Sequence, residues 1–214
     1  SLPSRGLGDV YKRQIRTQLY LNILKLRKVR DRLRFDATSK NPTFQERLNY
    51  AIDSRANLNN SGERILPLDE SVKVEEIQNA PISIYKFTPK NPDKGKYGIY
   101  FHGGGYFAGS INSHKNFISI LSAKSNLVVY FFEYRLSPEY NFPSAHEDAK
   151  IAIEYIDNLH EGDQSIWIGE SAGGGLAAGV TVDDGFSLKP DNLILLSPWL
   201  DLSDGFEDKK FLKN

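Results

Sequence analysis

The stretch Ser165-Ile166-Trp167-Ile168-Gly169-Glu170-Ser171-Ala172-Gly173-Gly174-Gly175 constrains this chain more than any other. A short apolar run enters Gly169-Glu170-Ser171-Ala172-Gly173 and leaves through small residues able to open a helix. That order predicts a strand, a tight turn and a helix. Glycines two residues either side of Ser171 remove the Cβ atoms that would clash in so sharp a turn. The Ser171 hydroxyl would then stand at the end of a sheet, with the Ala172 N–H beside it at a helix N-terminus. A bare G-x-S-x-G recurs by chance, so its surroundings decide what it means.

Those surroundings repeat the alternation. Val72–Ile77 and Ile82–Phe87 read as strands joined by Gln78-Asn79-Ala80-Pro81, hence an antiparallel pair. Tyr97–Phe101 is a third strand and runs into His102-Gly103-Gly104-Gly105-Tyr106. Ser113–Ser125 reads as a helix burying Phe117, Ile118 and Leu121. Leu127–Phe132 is apolar throughout, as in a strand buried on both faces. Ser144 with Glu147 spells a capping box for a helix carrying Ala149, Ile153 and Ile156. After the Ser171 turn, a small-residue helix runs from Ala172 to about Val182, and Asn192–Leu196 is the last strand. The pattern predicts an α/β fold: a mostly parallel sheet with helices on both faces and ligands at the carboxyl ends of its strands.

Upstream, Ile15, Leu19, Ile23, Leu26 and Leu33 recur at helical spacing, opposite a face rich in arginine and lysine. A helix packed on the protein with that basic face in water is favoured over one lying on a membrane. Asn41-Pro42-Thr43 starts a second helix through to about Leu58, and Asn57-Leu58-Asn59-Asn60-Ser61-Gly62 reads as a loop. Residues 1–14 have no periodicity and read as a non-native leader.

Composition narrows the function classes. With 27 basic and 27 acidic residues the net charge is zero, so no electrostatic case for a nucleic-acid partner exists. The absence of cysteine excludes disulfides and thiolate metal sites, and no His/Asp/Glu cluster has metal-ligand spacing. No apolar stretch reaches membrane-spanning length. A soluble, cytoplasmic protein without stable membrane insertion, metal or cofactor is expected. The chain has no methionine and stops just after a strand, at Phe211-Leu212-Lys213-Asn214, so a fragment of a longer protein is expected.

In a parallel sheet, His102–Gly105 and Gly169–Gly173 meet at one edge, each directly after a strand. Attack on an ester carbonyl needs a nucleophile and donors for the developing oxyanion. Ser171 Oγ suits the first role, and the N–H groups of the glycine run with Ala172 suit the second. A phosphate loop is disfavoured, since no Lys-Ser/Thr follows at the required spacing.

Five blocks in order resemble the hormone-sensitive-lipase-like, fold-3 branch of the α/β-hydrolases. They are His102-Gly103-Gly104-Gly105-Tyr106, Tyr134-Arg135-Leu136-Ser137-Pro138-Glu139, Phe142-Pro143-Ser144-Ala145 with Glu147-Asp148-Ala149, Gly169-Glu170-Ser171-Ala172-Gly173-Gly174, and Leu196-Ser197-Pro198-Trp199. The resemblance implies that Ser171 is the nucleophile of a serine carboxylesterase acting on small acyl esters through an acyl-enzyme. It implies an oxyanion hole of Gly104, Gly105 and Ala172, with His102 shaping the loop. It also implies a helical cap over residues 15–60 and a partial hydrolase domain over 65–214, its last strands missing.

The chain departs from the family in one respect. The triad order is Ser, then Asp or Glu, then His, yet His102, His114, His146 and His160 all precede Ser171. No triad acid or base is therefore expected in this chain, and the fragment is expected to be inactive. His114, His146 and His160 read as helix-surface or helix-end residues, and Asp183, Asp184 and Asp204 as solvated loop charges. Two alternatives stand beside the esterase: a non-catalytic small-ligand receptor on the same fold, and a peptidase or amidase.

Overall fold

The computed structural model describes residues 43–201, without the side chains of 61–65. The leader, the basic helix over 15–35, Asp204 and the end of the chain lie outside the described residues. The chain divides into two units, Ser1–Glu46 and Arg47–Asn214. Of the first, only the start of helix α1 (Phe44–Ile65) is described. Thr43 caps it: the Thr43 N–H donates to Glu46 Oε2 at 2.7 Å, and the Glu46 N–H to Thr43 Oγ1 at 3.3 Å.

The second unit is built on a six-stranded sheet in the order β1-β2-β4-β3-β5-β6. The strands are β1 (Lys73–Glu76), β2 (Ile84–Thr88), β3 (Lys96–Phe101), β4 (Val128–Phe132), β5 (Gln164–Glu170) and β6 (Asn192–Leu196). β1 pairs antiparallel with β2, and β2 with β4, whereas β4, β3, β5 and β6 run parallel. The helices after α1 are α2 (Ile111–Ser125), α3 (Ser144–Asp157) and α4 (Ser171–Thr181).

Alternate residues of the central strands feed two cores, as a pleat of period two requires. Tyr97, Ile99 and Phe101 of β3 join Tyr130, Phe132 and Trp167 against Ala149, Ile153 and Ile156 of α3 and Leu176 and Val180 of α4. Tyr100, Val129, Phe131 and Ile168 face the other way, onto Ile118 of α2. Each fully buried Ile or Phe contributes about 1.5–3 kcal/mol. The sheet is thus held from both faces, and its carboxyl end becomes a rigid platform.

Four readings need correction. Residues 57–62 are not a loop: α1 continues through them to Ile65, across the expected boundary between cap and core. Ser144 does not cap α3. It is the first helical residue after Pro143, and Glu147 pairs with Arg135 at 2.9 Å instead. α2 buries Ile118 fully but Phe117 and Leu121 only partly, because polar His114, Asn116, Ser119 and Ser122 occupy its inner face. His114 is not a surface residue but lies on the buried face of α2 against Glu170, whereas His160 does follow the end of α3.

Candidate active site

The register Phe101↔Gly169 ends β3 and β5 side by side, so their two glycine loops emerge together. At Ser171 the backbone turns through φ +50°, a left-handed conformation that costs a non-glycine residue about 1–2 kcal/mol. The residue is exposed while Ala172 behind it is buried. The turn can sit this close to β3 only because Gly173 has no side chain. A Cβ there would stand 2.1 Å from the Phe101 carbonyl oxygen. From the other side, the Trp199 N–H donates to the Ser171 carbonyl at 2.8 Å.

The loop after β3 folds back on itself. The N–H groups of Phe107 and Ala108 donate to the Gly104 carbonyl at 3.2 and 2.9 Å. Gly104 adopts φ +120°, and a Cβ on it would meet the Ala108 oxygen at 2.1 Å. The Gly103 N–H donates to Glu170 Oε1 at 3.3 Å. The N–H groups of Gly104 and Gly105 donate to nothing among the described residues, and Ala172 belongs to the first turn of α4, where N–H groups lack helical acceptors.

His102 is buried beneath this loop. Its ring stacks on Tyr134 at 4.1 Å and 9°, and Nδ1 lies 2.8 Å from the Gly103 carbonyl oxygen, to which an Nδ1–H donates. The Tyr134 hydroxyl donates to the His102 carbonyl at 2.8 Å. Burial, reinforced by the neighbouring His114, pushes the His102 pKa down to about 3, so the ring is neutral. Its contacts tie it to the backbone at Gly103 and to the Tyr134 ring. Burial likewise raises the Tyr134 hydroxyl well above its ordinary value.

Beside it lies a pair that the sequence does not single out. His114 Nε2 is 2.7 Å from Glu170 Oε1, and His114 Nδ1 is 2.8 Å from Ser113 Oγ. Burial alone would raise the Glu170 carboxyl. The bond and charge of His114, with the Gly103 N–H, outweigh it and hold the group below the usual range. Tyr100 is buried next to this pair with its hydroxyl unpaired, and burial followed by the Glu170 charge raises its pKa.

Two further blocks of the sequence meet as partners. The Arg135 N–H donates to Asp148 Oδ2 at 2.7 Å, and Arg135 Nε to both Asp148 oxygens. Asp148 is buried, so this clamp ties the 134–139 segment to α3. His160 lies at the opposite end of the sheet and His146 beside Gly179 of α4. None of the four histidines hydrogen-bonds Ser171. Asp183 pairs with Lys150 rather than standing free in solvent. Trp167 is core, while Trp199 is 42% exposed near the turn. Among the described residues no group of three His, Asp or Glu could hold a metal ion, and no helix is long and apolar enough to cross a membrane.

The profile of the α/β hydrolase fold family matches residues 98–214, more than half of the chain. Solved structures agree. An esterase from the bacterial hormone-sensitive lipase family superposes with a TM-score of 0.64 at 26% identity, over 82% of this chain and 58% of that one. This chain belongs to the hormone-sensitive-lipase-like α/β-hydrolases. An esterase/lipase from an uncultured bacterium superposes with a TM-score of 0.62 at 30% identity, over 86% and 61% of the two chains. Among curated relatives, versiconal hemiacetal acetate esterase of Aspergillus parasiticus is 31% identical over 62% of this chain and 43% of its own. Acetyl-hydrolase of Streptomyces hygroscopicus is 36% identical over 49% and 36%. The matches span less than half the length of these curated relatives.

Proposed function

We propose that the protein is a serine carboxylesterase for small acyl esters, with Ser171 as nucleophile and the N–H groups of Gly104, Gly105 and Ala172 as the oxyanion hole. One observation carries the reading. An exposed serine at φ +50° stands beside a glycine loop whose Gly104 and Gly105 N–H groups have no partner among the described residues. Relatives named esterase and acetyl-hydrolase support the same reaction class.

In this mechanism Ser171 Oγ attacks the ester carbonyl carbon as its proton passes to a base. The carbonyl oxygen becomes an oxyanion and accepts from the waiting N–H groups. Because these are backbone groups held by β3 and α4, they need no reorganisation as charge develops. Collapse breaks the ester C–O bond and releases the alcohol, which takes the proton. Water then hydrolyses the acyl-enzyme. His102, His114 and His160 are held by other partners and His146 lies beside Gly179 of α4, so none of them is assigned the base. The helical cap over residues 15–60 and a cytoplasmic location remain part of the proposal.

The test is hydrolysis of p-nitrophenyl acetate by the full-length protein, beside the matched anilide. Ester turnover that falls at least about a thousandfold in Ser171→Ala, with the anilide untouched, is expected. Faster turnover of the anilide would make the protein an amidase. Ligand retention without any turnover would make it a receptor.

A further inference from the structure

Arg55 of α1 makes bonds that neither the family's motifs nor the Ser171 site account for. Its Nε donates to the Phe107 carbonyl at 2.7 Å. One terminal nitrogen donates to Glu139 Oε1 at 2.7 Å. The other donates to Glu139 Oε2 at 2.7 Å and to the Ser137 carbonyl at 2.8 Å. A planar guanidinium is thereby fixed in a fork across two loops, a geometry that an ammonium cannot reproduce. The Glu139 hydrogen bond raises the Arg55 pKa, and Arg55 lowers that of Glu139.

The two loops are the ones that matter. Phe107 closes the turn in which its own N–H and that of Ala108 bond the Gly104 carbonyl, and the Ser137 N–H donates to the Tyr106 carbonyl at 2.8 Å. α1 reinforces the same segment twice more. The Tyr50 ring lies 5.6 Å from that of Phe107, and Asn59 Oδ1 accepts from Ser110 Oγ at 2.7 Å. Beside Arg55 is a cavity of about 320 Å³, bordered also by Asn59, Ser110, Glu133 and Glu139. Arg55 thus borders open space on one side and is tied to the two loops by these hydrogen bonds.

We propose that Arg55 is a positioning residue: it holds the 104–108 turn in the curvature that aims the Gly104 and Gly105 N–H groups. α1 is then a structural part of the oxyanion loop and not only a cover. The proposal rests on the esterase reading for its effect on rate, but not for its effect on the loop.

Two measurements on the full-length protein separate these. Amide hydrogen exchange at Phe107 and Ala108 should quicken at least about tenfold in Arg55→Gln and in Arg55→Lys, with α3 amides unchanged. Glu139→Gln, which leaves the bonds to Phe107 and Ser137 in place, should fall between. Ester hydrolysis should lose about ten- to a hundredfold in kcat with KM within about threefold, since a small misplacement of donors acts on the transition state. Lysine should not restore it. Unchanged exchange at Phe107 and Ala108 in Arg55→Gln, or full rescue by lysine, overturns the proposal. If the unmutated protein shows no Ser171-dependent hydrolysis, the esterase reading fails and exchange alone decides the role of Arg55. Should Arg55→Gln not fold, Arg55→Lys and Glu139→Gln carry the same test.

Discussion

At the amino ends of the parallel strands, the His160 ring stacks on Tyr97 at 4.3 Å, with Nε2 2.8 Å from the Tyr130 hydroxyl and Nδ1 3.0 Å from Asp163. At the carboxyl ends, His102 stacks on Tyr134 and His114 reaches Glu170. Both ends hold histidine and tyrosine in hydrogen-bonded networks, so such a network does not by itself mark a functional site. The backbone separates them. Near the amino ends, Gly95 and Gly162 have φ of +75° and +84°, but a Cβ at either would meet nothing within 4 Å. Near the carboxyl ends, a Cβ on Gly104 or Gly173 would collide with backbone oxygen at 2.1 Å. The non-glycine residues Tyr106, Ser171 and Ser197 also take positive φ there. Asn126, at the amino end of β4, takes φ +54° as well, so positive φ alone does not separate the ends; backbone crowding does, and it is gathered where the proposed chemistry is.

The sharpest way to break that contrast is Gly173→Ala. The obstruction is the Phe101 backbone, which cannot move without disturbing β3. A loss of at least about 3 kcal/mol in urea unfolding, or no soluble protein, is expected. A loss no larger than that of Gly162→Ala would erase the distinction.

Acid sensitivity should also belong to the carboxyl end. The unfolded chain binds a proton at His102 near pH 6.5, whereas burial lets the folded state refuse it until about pH 3. Stability from this group is complete above about pH 6.5 and declines as pH falls through the window, by up to about 1.4 kcal/mol per unit. His146, lowered chiefly by burial, acts in the same direction. Urea midpoints at pH 6.5 and 5, where most carboxylates stay ionised, should converge in His102→Gln relative to the unmutated protein. Midpoints with equal pH slopes in both would remove His102 as the cause.

Relief of strain gives a smaller effect of opposite sign. Ser171→Gly should stabilise the protein by about 0.5–1 kcal/mol, since glycine accepts φ +50° freely but has more disorder to lose on folding. It should also abolish ester hydrolysis, and a destabilised variant would argue that the turn stores no strain. Smallest of all, Gly162→Ala should cost about 1 kcal/mol or less in a thermal melt, a conformational penalty without a clash.

Much of this fold was legible in the chain because its signals are local. The apolar runs around Ile99, Val129 and Trp167 mark strands, and their length without polar interruption marks burial on two faces. The Ser171 elbow was legible for the same reason, since a glycine two residues away records how close the backbone must come. Where propensity and packing conflict, packing wins. Asn57–Gly62 looks like a loop, yet α1 runs through it, anchored by Asn59 on Ser110. Ser144 looks like a cap, yet Glu147 turns to Arg135.

Polar pairing was not legible. Arg55 meets Phe107 across 52 positions and Glu139 across 84, and His114 meets Glu170 across 56. A guanidinium or an imidazole carries no record of which carboxylate it will face. The sequence by itself determined the order of strands and helices, the sheet edge where the glycine loops converge, and the serine at its centre. Those follow from periodicity and from steric limits that act within a few residues. Only the tertiary structure decided which charged and polar groups hold those loops in place. That choice depends on distances between segments that the chain brings together only once the sheet is built.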